Sequence, residues 1–496
     1  MKTRLAAIPI ALALATSVGA QEHHHPAPEH LGRAHLEASC APTVKAAFER
    51  AVALLHSFAY EEADMGFADV AARDPTCAMA HWGRAMTHYH QLWEVPAGTG
   101  LAAGVAEIGR AAAMGAATPR ERALIAALDA YYADAGQVPA TTRAIRYSDA
   151  MASVSRDYPD DDEIATFYAL SLVATAPPTD RTHARQKRAA DILEPIWKRQ
   201  PDHPGVPHYL IHAYDSAELA PRGLPAARAY AKIAPSAPHA LHMPSHIFTR
   251  LGLWDDSIAS NIAARDAARA QGDVGEALHA MDYLTYAYLQ RGRTADAVRE
   301  VTNLKAMTDL SASGFKIGYA GNAMPVRLAI ETRDWAAASR LSPMPGSAPQ
   351  VAAMVWWARA LGKLRAATPG SAEQDIGELQ ACRDSLRAAN DTYWMVQVDA
   401  LLKSAQAWQL AAAGNGEAAV RAMRAAADEE DGLEKLPLTP GPIVPAREQL
   451  GELFLVLGKP REALDAFASA LALSPGRLGA LRGKAEARRQ IDNHGT

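Results

Sequence analysis

The chain has 496 residues, of which 49% are hydrophobic, 21% charged and 6% aromatic, with a formal net charge of −5. That much apolar material fills two or three ordinary domains and excludes a disordered chain. No run of Lys and Arg stands out, so the basic footprint of a phosphate-binding surface is missing and nucleic acid is not an expected partner.

In chain order, the first feature is an export signal. Lys2 and Arg4 precede an apolar stretch from Leu5 to Val18, and Val18-Gly19-Ala20 supplies small residues for cleavage before Gln21. The stretch is short for a bilayer, and nothing later reaches transmembrane length. Residues 1–20 are therefore expected to be removed near Ala20, leaving a periplasmic or secreted chain without a transmembrane segment; an uncleaved anchor is the alternative. Residues 21–43 hold His23, His24, His25, His30 and His35 beside prolines and read as a flexible segment. Export permits disulfides. Of the three cysteines, Cys40 and Cys77 flank the first helical hairpin, whose outward and returning helices bring them to the same end. A disulfide there, or two buried thiols, fits this placement, and Cys382 is the odd one out.

From residue 44 onward the pattern is helical, with apolar residues at Ala47, Ala51, Leu54, Leu55 and Phe58, and again at Ile164, Phe167, Tyr168 and Leu172. Abundant alanine suits closely packed helices. The helices repeat. From Val444 to about Arg477, the residues Leu450, Gly451, Phe454, Gly458, Ala463, Phe467, Ala470 and Pro475 fall where a 34-residue tetratricopeptide (TPR) unit puts its packing and turn residues. Weaker copies start at Val44, Leu278 and Ala400. The fold class predicted is an all-α, TPR-like solenoid of antiparallel hairpins forming a right-handed superhelix. A Pro/Gly/Ser stretch, Leu341 to Gln350, divides it into blocks 44–340 and 351–496, and Leu436 to Pro445 reads as a second proline-rich turn.

Histidine placement carries the functional signal. Seven of 18 histidines lie between His203 and His279, and none lies from Ala280 to Asn493. His208 and His212 are four apart, as are His242 and His246, so each pair shares a helix face. The pairs are offset by one 34-residue repeat, which puts four imidazoles on neighbouring first helices about 8–10 Å apart. His279, Asp215 and Asp282 lie close in register. Imidazoles so arranged, with carboxylates completing the coordination or orienting the rings, suit Zn²⁺, Cu²⁺ or Fe²⁺. Taken singly, each histidine equally fits a buried ring satisfied by a neighbouring carbonyl. His81, His88 and Tyr209 are expected to line the concave groove. Standard catalytic motifs such as His-Glu-x-x-His or Gly-x-Ser-x-Gly are missing.

The strings His203-Pro204-Gly205-Val206-Pro207-His208-Tyr209-Leu210-Ile211-His212 and His239-Ala240-Leu241-His242-Met243-Pro244-Ser245-His246-Ile247-Phe248 resemble those of a family of exported bacterial TPR proteins. So do Leu54-Leu55-His56-Ser57-Phe58 and Pro440-Gly441-Pro442 with Pro445-Ala446-Arg447-Glu448. The resemblance implies a helical-repeat fold and export, and transfers no reaction. Two functions follow from the residues. The first is a binding scaffold whose concave face takes a peptide, protein or small ligand beside a metal-holding histidine patch. The second is a metal-dependent hydrolase or oxidoreductase using the same histidines.

Overall fold

A computed structural model describes residues 30–92, 96–366 and 371–494. The signal stretch 1–20 and His23, His24, His25 and Trp93 lie outside the described residues. Among the described residues there are helices and connecting turns and no strand. The chain is a TPR-like solenoid of antiparallel helix hairpins.

The hairpins close because small residues face large ones at the repeat spacing. Phe67, fully buried in the helix Tyr60–Arg73, packs so tightly on Gly83 of the next helix that a Cβ there would lie 2.5 Å from its ring. Phe467 is held in the same way by Gly451 at 2.7 Å and Gly483 at 2.2 Å. Any side chain at these glycines would push the helices apart. Gly458, with φ +68°, takes the left-handed turn after the helix Ala446–Val456, a conformation that favours glycine.

Residues 30–41, which the sequence offers only as a flexible segment, pack against the first repeats. Leu31, Ala34 and Leu36 are buried, and the His35 and Ser39 amides donate to Glu163 and Glu121 at 2.9 and 2.6 Å. Burial and ionised acceptors hold what composition alone would leave loose. A Cys40–Cys77 disulfide, with Cα atoms 4.7 Å apart, fixes the end of this segment to the start of the helix Ala78–Thr87.

The apolar core is split. One cluster runs from Leu31 to Phe248 and another from Tyr319 to Ala487, with two small clusters on the helices between. What ties the halves together is largely polar. The Leu436 to Pro445 connection, expected to be a simple turn, runs across the inside of the superhelix. Just before it, the Glu434 amide donates to Pro178 O at 2.8 Å and Lys435 Nζ to Asp215 at 2.7 Å. Farther on, Arg327 donates to Gly441 O at 3.1 Å. A proline-rich strand of chain suits this course, since it has few amide protons to satisfy.

The C-terminal helices also return. Trp254 Nε1 donates to Gly476 O at 3.0 Å, and the buried Arg477 guanidinium reaches Glu448, Tyr286 and Glu331 at 2.7, 3.0 and 2.8 Å. The concave side is therefore largely occupied by the chain itself.

Candidate metal centre

Three consecutive first helices build the site. The helix Gly205–Tyr214 carries His208 and His212. A kinked pair, Pro238–His242 and Pro244–Arg250, carries His239, His242 and His246, the break falling at Pro244, which has no amide proton to donate. The helix Val274–Gln290, capped by Asp273, carries His279 and Tyr283. All six histidines are buried, none more than 5% exposed. They form two trios, His208 with His212 and His239, and His242 with His246 and His279, and within each trio the donor atoms lie within 4.8 Å of one another. His212 and His246 face each other across the trios, ring centroids 5.8 Å apart.

Hydrogen-bond partners assign the ring protons. His208 Nδ1 donates to the His56 carbonyl at 2.7 Å, His242 Nδ1 to Asn261 Oδ1 at 2.7 Å and His246 Nδ1 to Asp215 Oδ2 at 2.9 Å. Asn261 is oriented by its own amide, which donates to Ser257 O at 2.8 Å. Each Nε2 is thereby left with a bare lone pair. His242 Nε2 and His246 Nε2 nevertheless stand 3.0 Å apart, and His208 Nε2 lies 3.2 Å from His212 Nε2. With metal–nitrogen distances of about 2.0–2.1 Å, such separations subtend about 91–106° at a shared ion.

Electrostatics disfavour a proton in that position. Burial holds His208, His212, His242 and His279 well below the ordinary imidazole range. For His246 burial outweighs the raising effect of Asp215 and brings it to about 4. Burial would raise Asp215, yet Lys435 and Arg250 outweigh it and keep the carboxylate ionised. Apolar and aromatic walls enclose the rings: Tyr230 stacks on His208 at 5.1 Å, Tyr283 lies 4.6 Å from His242, and Phe58 packs on His208 at 4.3 Å. Phe58 adopts φ +56°, an uncommon backbone for an aromatic residue, and this turns its ring over the cluster.

The carboxylates named from the sequence take separate places. Asp215 reaches the imidazoles by accepting from His246 Nδ1 at Oδ2, which also accepts from Lys435 at 2.7 Å, while its Oδ1 accepts from Arg250 at 2.8 Å. Asp282, one turn past His279, belongs to neither trio; it is paired with the buried Arg327 at 2.9 Å. Burial pushes its carboxyl up against the opposing effect of Arg327. His239 completes the first trio although only the i, i+4 pairs stand out in sequence; its i, i+3 spacing to His242 is the signal that could have found it. Its Nδ1 lies 3.4 Å from Glu276, which is bound in turn by Lys316.

Tyr209 lines no open groove. It is fully buried, and its hydroxyl lies 2.9 Å from His56 Nδ1. His56 also meets Glu163 at 2.9 Å, and Glu163 meets His203 at 3.1 Å, while His203 Nδ1 accepts from the Gly205 amide at 3.1 Å. Gly205 is required here, since a Cβ would come 2.5 Å from His56 Nδ1. His81 is partly exposed and pairs with Glu107 at 2.7 Å, and His88 is half-buried at the end of its helix. A cleft of about 140 Å³ is lined by Arg181, Arg250, Tyr393, Trp394, Lys435 and Arg447 among others, and a larger one of about 640 Å³ by Glu331, Arg333, Trp335, Glu448 and Arg482 among others.

Fold and site together define a helical-repeat protein with a buried polyhistidine centre. No family model matches the chain, and no curated protein matches it. Among solved structures it is similar to the Cut9–Hcn1 hetero-tetramer of the APC/C (TM-score 0.38, 10% identity, 91% of this chain and 77% of that one). It is also similar to yeast Tom70 (TM-score 0.36, 9% identity, 90% and 88%) and to the P58(IPK) TPR domain (TM-score 0.23, 12% identity, 91% and 99%).

Proposed function

We propose that this protein is an exported binding scaffold whose interior holds transition-metal ions on buried imidazoles. One observation carries the reading. His242 and His246 both spend their Nδ1 protons on outer acceptors, so their Nε2 lone pairs face each other at 3.0 Å in a buried interior, with only the Tyr283 hydroxyl, at a long 3.5 Å, near that of His246. Facing lone pairs repel, and burial discourages the proton that would relieve them. A cation bound to both relieves them, and outer hydrogen bonds from Nδ1 are the usual way in which ligating histidines are oriented. The Cys40–Cys77 disulfide supports an oxidising location outside the cytoplasm. The cleft beside Arg250 and Lys435 is where a small ligand or peptide would meet the scaffold.

The test is elemental analysis of the mature protein purified without chelator, beside a His208→Ala/His242→Ala variant whose helicity is checked by circular dichroism. Stoichiometric metal in the parent and its loss in a helical variant is the expected result. Metal-free parent protein after supply of Zn²⁺, Cu²⁺ and Fe²⁺ would overturn the reading. Periplasmic fractionation of the tagged chain tests export, and retention in the cytoplasm would contradict it.

A further inference from the structure

Resting on the metal-binding reading, the geometry points to a stricter one: we infer that each histidine trio holds one copper(I) ion, giving a two-copper centre. The trios share no residue. Each has the same construction, an i, i+4 pair on one first helix and a third histidine supplied by the next first helix, His239 for the first and His279 for the second. Within either trio the donors lie within 4.8 Å of one another, and the two sets meet through ring contacts such as His212 to His246, centroids 5.8 Å apart, so each trio is a compact donor set of its own.

Charge selects the metal. Both trios are neutral nitrogen donors with no carboxylate. The nearest anions are already balanced, Asp215 by Arg250 and Lys435 and Glu276 by Lys316. Two divalent ions would bring four positive charges into a buried, compensated interior, at a large desolvation cost. Two copper(I) ions bring two. Imidazole suits copper and zinc alike, and Zn²⁺ on three imidazoles takes a fourth ligand, commonly water, so it is the lower charge rather than the ligand type that favours copper(I). Phe58 and Tyr230 fill the interior beside the first trio, and beside the second the neutral Tyr283 hydroxyl lies 3.5 Å from His246 Nε2.

The experiment is an anaerobic titration of the metal-free mature chain with copper(I) against a coloured copper(I) chelator, with a parallel Zn²⁺ titration. The expected result is two copper(I) ions per chain, and Zn²⁺ bound at least about 100-fold more weakly. His239→Gln and His279→Gln should each lower the count to one, and the surviving ion shows that the variant has folded. X-ray absorption should report three nitrogen neighbours per copper. One ion per parent chain, or Zn²⁺ bound as tightly as copper(I), overturns this inference and leaves metal binding standing. Failure to bind copper(I), Cu²⁺, Zn²⁺ or Fe²⁺ overturns both.

Discussion

Two assemblies of buried histidines lie within one molecule and are built on opposite principles. In the knot of His56, Glu163, His203 and Tyr209, every ring nitrogen has a complementary partner, with the carboxylate accepting from both rings and the Tyr209 hydroxyl and Gly205 amide serving the other two nitrogens. Such a network is complete in itself and serves rigidity. In the His242–His246 pair the outer nitrogens are equally well served, but the inner ones confront each other. The knot is finished without a guest; the pair is finished only with one. The two are joined physically, because the carbonyl that orients His208 belongs to His56.

Acidification should have the largest effect, acting on the trios and, through His56, whose proton affinity burial also lowers, on the knot as well. Burial gives His208, His212, His242, His246 and His279 folded-state affinities for protons below that of the unfolded chain, near 6.5. Their contribution to stability is therefore complete above pH 6.5 and is lost as pH falls toward the folded values, about 4 for His246. Each such ring costs about 1.4 kcal/mol per pH unit across that window. Urea denaturation of the metal-free protein at pH 7 and pH 5 should show a loss larger than any single substitution causes, and a flat profile would contradict it. Burial would raise Glu163, but His203 and His56 outweigh it and hold it well below the usual carboxylate range. Its contribution is present above the unfolded carboxyl value and is lost only at lower pH, below the imidazole window.

Next in size, Glu163→Ala should destabilise the protein by about 3–5 kcal/mol whether or not metal is present, since it strands two buried imidazoles. A cost that vanished on metal addition would make the knot part of the metal site. Asp215→Asn should weaken metal binding by about 10–100-fold by loosening His246, read by chelator competition. An unchanged affinity would remove Asp215 from the site's support. The smallest effect is expected for His242→Gln in the metal-free protein, under about 1 kcal/mol, because a side-chain amide can donate to the bare His246 Nε2 and remove the repulsion. A loss like that of Glu163→Ala would make the pair as structural as the knot.

The parts of this arrangement that recur at fixed spacing were readable from sequence. Phe467 against Gly451, and the 34-residue offset of His208 and His212 to His242 and His246, follow from one periodicity. Partners brought together by superhelical curvature were not readable, because nothing local links His56 to Tyr209 across 153 residues; Asp215 is expected beside the imidazoles, and what the sequence leaves open is that it orients His246 rather than ligates. Asp282 shows the limit of proximity along a helix, since three residues past His279 its carboxylate is turned to Arg327 on the following first helix. The 436–445 stretch reads as a turn by composition, and its course through the interior is set by contacts with residues far earlier in the chain.

In an ordinary solenoid each repeat touches its neighbours only, so the array can fray from an end one unit at a time. Lys435 and Arg477 defeat that independence, the first gripping Asp215 across 220 residues and the second Tyr286 across 191. The last hairpins therefore act as a clasp. Cutting the chain away from Lys435 onward would uncover Asp215 and slacken the ring of His246, so loss at the C-terminus would be felt at the centre, and the molecule should unfold as one cooperative body.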